Sequence, residues 1–379
     1  MSDFAKPFYS PALRMKAGEL EGVRLLTPDV ADRILPRFIV PPSGERDRAT
    51  PLLMDLDRMP QISSQMAVAW RRRPVLIDPA YIIDEFGRDE AAKWLPRMFE
   101  RARKNEVSAI PTIHMNDIDY CSGAYRASID WHAPTKLGIL VPSGEMVGSE
   151  FLRGMEKVLN ALRVSPSDCV AIADFGGTEF SEPGIVAPII GGALELLEDV
   201  GRWQQIIFQG SHYPETNPAP ENGVVLWPRN EWRAWRQAVK FDPSTAENMI
   251  FGDYAADCSK IEFGDGGGRA IRHVRYATPE HWRIERGSNS GKQPVSMHHV
   301  YTKLVGSGDF SGSDFSEADA YIAHAAGNPD APHGAAMNWR QLNTTHHLTQ
   351  VVTDIARVRG IEIRRVPMES TQMSLLPLE

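Results

Sequence analysis

The chain carries the run LGILV at 137–141, the segment SEFLRGMEKVLNALR at 149–163 and the run VAIA at 170–173, and this succession decides the fold. The two outer runs are short and continuously apolar, as is typical of strands buried on both faces of a parallel sheet. The middle segment has apolar residues at helical spacing and charged residues on the opposite face. We interpret the three together as a strand–helix–strand unit.

Similar units recur along the chain. Further apolar runs are FIV (38–40), VLI (75–77), AIPTI (109–113), QIIF (205–208), MIF (249–251) and IRHVRY (271–276). Amphipathic segments lie between them, at 81–104, 185–200 and 231–239. This alternation predicts an α/β fold, either a (β/α)8 barrel or a doubly wound sheet. We favour the barrel because the count is close to eight and no GxGxxG follows the first strand.

The last unit departs from the pattern. The run at 271–276 is followed across ATPE (277–280) by WRIER (282–286), which predicts an extra hairpin. We expect a long loop at 287–317 and C-terminal helices at 316–326 and 344–358. Residues 1–365 are therefore predicted to form a single barrel-like domain, and 366–379 a flexible tail.

Composition limits the classes of function. The chain has 379 residues, 42% of them hydrophobic, and a formal net charge of -8. This charge argues against a broad surface for duplex DNA. Its three cysteines are far apart, which fits a reducing compartment, and no long apolar stretch predicts export or a membrane span. We expect a cytoplasmic protein.

Two parts of the sequence suggest a family. The segment YSPALRMKAGE (9–19), and IRHVRY followed by WRIERG (282–287), resemble the beta protein family of phages and bacteria, over roughly 8–358. The resemblance implies a role in phage–host conflict or DNA metabolism. It implies no particular reaction and no catalytic residues.

Polar residues follow most of the predicted barrel strands. In a barrel the carboxyl ends of the strands meet at one mouth, where active sites lie. The candidate catalytic residues at these ends are Asp78, His114, Glu145, Asp174, His212 and Asp253. Such residues can act as acid and base, or can hold a divalent metal ion as cofactor. In the alternative interpretation, each is a turn former or a helix cap.

Five further residues are candidate ligand-binding residues: Lys16, Glu19, Gln209, Tyr254 and Arg286. Lys16 and Glu19 are more simply explained as surface charges at the start of a helix, although either would bind a ligand if it folded over the mouth. Arg286 would place a guanidinium over an anionic ligand or form a structural ion pair.

Several other patterns favour structural roles. No Walker A, HExxH or GxSxG motif is present. The adjacent pairs at 298–299 and 346–347 are poor metal sites, because neighbouring histidines point to different sides of a helix or strand. Trp227, Trp232 and Trp235 alternate with arginines, which favours a helix packed on the barrel over a base-stacking surface.

The end of the sequence resembles a docking peptide. Residues Gln372, Met373, Leu375, Leu376 and Leu378 match the short motif by which bacterial proteins bind the DNA polymerase sliding clamp. In such a motif the glutamine amide anchors on polar groups and the leucines enter an apolar groove. The alternative is that these leucines pack back on the domain.

Two functions remain open at this point. The first is a recognition module on a barrel scaffold, which binds a phage protein or a partner nuclease and is localised by its tail. The second is a barrel hydrolase that cleaves a nucleotide or phosphodiester with metal assistance. Convergence of the strand-end carboxylates on a pocket would favour the enzyme.

Overall fold

A closed barrel of eight parallel strands forms the centre of the protein. The computed structural model describes residues 6–42, 62–260 and 270–363. Within these ranges the strands are β1 (Tyr9–Arg14), β2 (Arg37–Ile39), β3 (Pro74–Asp78), β4 (Ser108–His114), β5 (Leu137–Pro142), β6 (Cys169–Asp174), β7 (Gln205–Gln209), β8 (Val224–Pro228), β9 (Met249–Asp253), β10 (His273–Ala277) and β11 (His281–Arg286). The barrel contains β1 to β7 and β9, so the predicted (β/α)8 fold is confirmed.

Helices surround the barrel. They are α1 (Ala17–Arg24), α2 (Pro28–Ala31), α3 (Ser63–Ala69), α4 (Ala80–Phe86), α5 (Ala91–Lys104), α6 (Ile118–Ser128), α7 (Gly148–Leu162), α8 (Pro183–Val200), α9 (Asn230–Phe241), α10 (Thr245–Asn248), α11 (Gln293–Val305), α12 (Glu317–Gly327) and α13 (Ala336–Val358). The amphipathic pattern explains their docking. In α7, for example, Phe151, Met155, Val158 and Leu162 are buried against the core.

One of the eight predicted barrel strands is wrong. The run at 271–276 was counted as the eighth barrel strand, but β10 lies outside the barrel. The missing barrel strand is β1, which pairs in parallel with both β9 and β2 and thereby closes the ring. Pro11 interrupts this segment and its apolar run is short, so it carries a weak strand signal.

A second, antiparallel sheet has the strand order β10-β11-β8. The predicted hairpin of β10 and β11 is confirmed. The third strand, β8, was not expected and pairs with β11. Since β8 follows β7 and β10 follows β9 along the chain, this sheet is inserted after the carboxyl ends of two neighbouring barrel strands.

Two further features correct the sequence interpretation. The expected loop at 287–317 contains α11, a helix of 13 residues whose Met297, Val300, Tyr301 and Leu304 are buried. The last helix, α13, spans 23 residues instead of starting at 344. Among the described residues, no helix is both long enough and apolar enough to cross a membrane.

The two tryptophans of α9 pack on the barrel. Trp232 and Trp235 stack on each other and both contact Phe251 of β9 edge to face, at ring-centroid distances of 5.1 and 5.8 Å. Both indoles are buried. The prediction that these tryptophans pack on the barrel is therefore confirmed for Trp232 and Trp235. Trp227 lies on β8 instead, where its indole nitrogen donates to the carbonyl of His212.

We expect Gly252→Ala to lower the free energy of unfolding by about 1–3 kcal/mol, because there is no room for a side chain between β1 and β7. A Cβ atom at Gly252 would lie 2.6 Å from the carbonyl oxygens of Phe208 and Ser10. Urea unfolding measures the effect. Gly192→Ala in the interior of α8 is the control: its Cβ would meet nothing within 4 Å, and alanine's helix propensity should raise stability by up to about 1 kcal/mol. Equal stability of the two variants would contradict the barrel packing.

Candidate functional site

Three charged or ionisable side chains meet at the mouth of the barrel: Asp78 and His114 end β3 and β4, and Arg37, the first residue of β2, reaches Asp78 from below. Asp78 Oδ2 accepts a hydrogen bond from Arg37 Nη1 at 2.6 Å and lies 3.0 Å from His114 Nε2. Its other oxygen accepts from the amide of Ala80 at 3.1 Å. The Arg37 and Asp78 side chains are only 3% and 2% exposed, whereas that of His114 is 33% exposed. His114 is therefore the member of this cluster that a ligand can reach.

The charges of the cluster stabilise one another. Burial works against the charged form of Asp78, but His114, Arg37 and the Ala80 amide outweigh it and hold the pKa of Asp78 well below its usual range. Burial also disfavours the charge on His114, and the Asp78 carboxylate reverses this effect, so the pKa of His114 is raised. The result is a rim imidazole that favours its protonated form, next to a carboxylate that stays ionised.

A second carboxylate is connected to this cluster through Tyr254. Its hydroxyl donates to Asp174 Oδ1 at 2.6 Å, and the Arg37 guanidinium lies 5.8 Å from the centroid of its ring. The same Asp174 oxygen accepts from the amide of Gly176 at 2.9 Å. Asp174 Oδ2 has no hydrogen-bond partner within the described part of the chain. Asp174 is thus held through one of its two carboxylate oxygens.

Glu145 lies on a neighbouring rim loop. It accepts a hydrogen bond from Asn116 Nδ2 at 2.6 Å, which links the loop after β5 to the loop after β4. Asp117 of the latter loop pairs with Arg88 at 3.3 Å. Burial raises the pKa of Asp117. Within the described residues, no hydrogen bond joins Glu145 to His114 or Asp174, and its contact with Asn116 connects two rim loops.

The structure does not place Asp253 with this cluster. Asp253 is on the same side of β9 as Phe251, which faces α9, so its carboxylate is directed away from the barrel interior. It accepts from Tyr9 Oη at 2.7 Å and lies 2.8 Å from His347 Nε2 of α13. Asp253 lies apart from the cluster because side chains alternate between the two faces of a strand, so the last residue of a strand can point to either face.

Two more candidate residues, His212 and Gln209, make contacts outside the Asp78 cluster. His212 stacks on Trp227 at a ring distance of 5.6 Å, and burial lowers its pKa. Gln209 is fully buried, and its amide nitrogen donates to the carbonyl of Asp253 on the neighbouring strand β9 and to that of Ser10 on β1, the strand beyond it. Neither contacts the Asp78 cluster through a hydrogen bond in the described residues.

Glu19, in the first turn of α1, lies beside a network of arginines. Lys16 is the residue that precedes α1, but Glu19 is only 4% exposed, so the expectation of a surface charge is wrong for Glu19. Burial raises its pKa, and Arg340 lies 3.6 Å from it. The cavity lined by Arg14, Glu19 and Arg340 has a volume of about 10 Å³, which is enough for roughly one water molecule.

The network itself centres on Asp257, which no sequence pattern had indicated. Its carboxylate pairs with Arg14 and Arg275 at 3.0 Å each, and with Arg340 at 2.5 Å. These arginines outweigh the effect of burial and keep the pKa of Asp257 well below its usual range. Because the residues come from β1, β10, α13 and the loop after β9, only the folded chain brings them together.

The other sequence expectations have mixed outcomes. The paired histidines of α13 do diverge: His346 lies 3.0 Å from Asp319, and His347 contacts Asp253. No group of three His, Cys, Asp or Glu side chains that would hold a metal ion is found within 6–42, 62–260 and 270–363. The docking peptide at 372–378 lies outside the described residues.

Sequence comparison places the chain in a family. The profile described as Beta protein matches residues 9–353, which extends from β1 through most of α13. The chain belongs to the Beta protein family. The matched region includes both the barrel strands and the inserted sheet, so both belong to the part of the chain that resembles the family. A comparison with curated proteins finds no match.

For this Beta protein family member, we expect Asp78→Asn to lower the pKa of His114, because the neutral amide no longer stabilises the imidazolium. A titration of the imidazole signals by NMR measures the change, with His114→Gln used to assign the signal. Glu145→Gln serves as the control, since Glu145 contacts Asn116 and not His114. A His114 pKa that shifts equally in both variants would contradict direct coupling to Asp78.

Proposed function

We propose that the protein is a barrel enzyme that hydrolyses a phosphate ester, such as a nucleotide or a phosphodiester, with His114 as general acid. The single observation that carries this proposal is the pairing of the partly exposed His114 with the buried Asp78 and Arg37 at the barrel mouth. In a (β/α)8 barrel this is the end at which active sites lie.

The direction in which the pKa of His114 is shifted supports the acid role. A proton donor must be protonated near neutral pH and must reach the leaving group. Asp78 raises the pKa of His114, and the exposed third of the imidazole faces solvent. Its positive charge also attracts an anionic substrate.

Asp174 supplies a matching base in this proposal. Its Oδ1 is occupied by Tyr254 and Gly176, which orient the carboxylate. Oδ2 takes a proton from water as the water oxygen attacks phosphorus. The bond from phosphorus to the leaving oxygen breaks, and His114 transfers its proton to that oxygen, so charge and atoms balance.

We expect His114→Gln to lower kcat about 100-fold or more, because proton donation by a positioned side chain contributes roughly that much. The assay measures product release from nucleoside triphosphates, cyclic nucleotides, a short single-stranded oligonucleotide and an activated phosphodiester. His132→Gln is the control, since His132 is an exposed histidine on the loop before β5. In the wild type, kcat should fall as the pH rises through the pKa of His114.

Each assay is repeated with EDTA to separate this proposal from metal-assisted hydrolysis. Retained activity supports proton transfer by the protein's own side chains. Loss of activity in EDTA, or equal activity of His114→Gln and wild type, would contradict it. Absence of turnover on every substrate would instead favour the recognition module, with the mouth as a binding surface for a phage protein or a partner nuclease.

We also propose that the tail docks on the DNA polymerase sliding clamp. The support is the sequence at 372–378, in which Gln372 and Met373 precede Leu375, Leu376 and Leu378. Peptides with this chemistry gain affinity when apolar side chains enter a groove on a partner. Such docking would bring a phosphate-ester hydrolase close to replicating DNA.

We expect a peptide of residues 368–379 to bind purified clamp, and the Leu375→Ala/Leu376→Ala peptide to bind at least about tenfold more weakly, because two buried leucines are truncated. Fluorescence anisotropy measures both, with Gln372→Ala as a third peptide. A Glu379→Gln peptide is the control, because that residue lies outside the motif. Failure of the unaltered peptide to bind would end the docking proposal and leave the barrel proposal intact.

A further inference from the structure

A cleft lies between the end of β11 and helix α11. It has a volume of about 260 Å³, and its lining comes from Asn222, from the segment 286–292 and from one face of α11. None of the rim residues of the Asp78 cluster contributes to it. The cleft is therefore separate from the site proposed above and is large enough for a small ligand.

Within the described part of the chain, the ionisable side chains that line the cleft are all of basic type. Arg286 lies at the end of β11, Lys292 directly precedes α11, and His299 and Lys303 are exposed on α11. Among the described residues, none of those that line the cleft is acidic. This contrasts with the net charge of -8 for the whole chain and gives the cleft a local positive potential.

Two nearby acidic residues, Glu221 and Glu285, offset part of this charge. Glu221 interacts electrostatically with Arg286 and accepts hydrogen bonds from Ser288 Oγ and from the amide of Asn289, each at 2.8 Å. Glu285 lies 3.6 Å from Lys303, but it already pairs with Arg283 at 3.0 Å. Lys303 also donates to the carbonyl of Asn222 at 3.0 Å. In the described residues, Lys292 and His299 make no ion pair.

Arg286 has donor capacity left inside the cleft. Its Nη1 donates to the carbonyl of Ala219 at 3.0 Å, which anchors the side chain. Its Nε is buried and has no hydrogen-bond acceptor within the described part of the protein. Because Nε is closed off from solvent, the donor left for an anion is Nη2, which makes no hydrogen bond among the described residues.

The loop that forms one wall keeps its carbonyl oxygens occupied. Arg272 donates to the carbonyls of Ser288, Ser290 and Gly291 at 3.0, 2.9 and 3.2 Å. Ser296 of α11 donates to the Ser288 carbonyl as well. Oxygens that would otherwise repel an anion are therefore neutralised by a buried cation. The close approach of the loop to α11 also requires glycine at 287, where a Cβ would lie 2.4 Å from Ser296 Oγ.

We propose that this cleft binds the phosphate groups of a small phosphorylated ligand. Three basic side chains of different elements face one volume, and a multiply charged phosphate matches them better than a single carboxylate does. The positive end of the α11 helix dipole adds to the attraction but does not carry the proposal. Arg286, Lys292 and Lys303 contact the phosphate oxygens, and the exposed side chain of Val295 offers an apolar surface to the rest of the ligand.

Calorimetric titration of the full-length protein with pyrophosphate at low ionic strength tests the proposal. We expect saturable binding that weakens as salt is added. The Lys292→Gln/Lys303→Gln variant should raise the Kd at least about tenfold, because two charge-assisted contacts are lost. The matched control is Lys104→Gln/Lys240→Gln, which removes the same charge from exposed lysines of α5 and α9.

The outcomes separate clearly. An unchanged Kd in the control together with a weakened Kd in the cleft variant supports the proposal. No saturable binding, or equal weakening in both double variants, overturns it. If a short oligonucleotide binds through Lys292 and Lys303 while pyrophosphate does not, the cleft serves nucleic acid and the small-ligand proposal fails. Thermal unfolding of each variant checks that the fold is retained, and hydrolysis through His114 is independent of all these results.

Discussion

The ion pair of Arg37 and Asp78 inside the barrel is the interaction on which the mouth depends. Both side chains are almost completely buried, and charges at such depth are tolerated only when they are paired and hydrogen bonded. Removing one partner of a buried pair typically costs about 3–5 kcal/mol. Asp78 adds the Ala80 amide and His114 to its contacts, so the same carboxylate that stabilises the barrel also sets the charge of the exposed imidazole.

Helix α13 joins the barrel to the inserted sheet by a series of polar contacts. His347 reaches Asp253 on β9, whereas His346, the next residue, reaches Asp319 on α12 and the carbonyl of Ala277 on β10. Further along, Asp354 pairs with the fully buried Arg229 at 2.8 Å. Because these contacts lie on different sides of one helix, α13 connects the barrel strand β9 to strand β10 and to α12.

Much of the fold follows from local pattern, and the exceptions have identifiable causes. Continuous apolar runs identified seven of the eight barrel strands, since buried parallel strands need apolar residues on both faces. The eighth, β1, contains Pro11 and has too weak a pattern to be recognised. The helix α11 was taken for a loop because its sequence, QPVSMHHVYTKLV, begins among glycines and serines and lacks a strong polar face.

The sequence by itself determined the barrel, its hairpin and the placement of Asp78, His114 and Asp174 at strand ends, because strand periodicity and chain order are local properties. Only the tertiary structure decided which polar residues meet. Arg37 starts an apolar run and shows no distinguishing signal, yet closure of the barrel brings it to Asp78. Asp253 carries the same signal as Asp78, and the alternation of β9 turns it outward toward His347. Side-chain direction and contacts between distant segments depend on packing, which no short stretch of sequence contains.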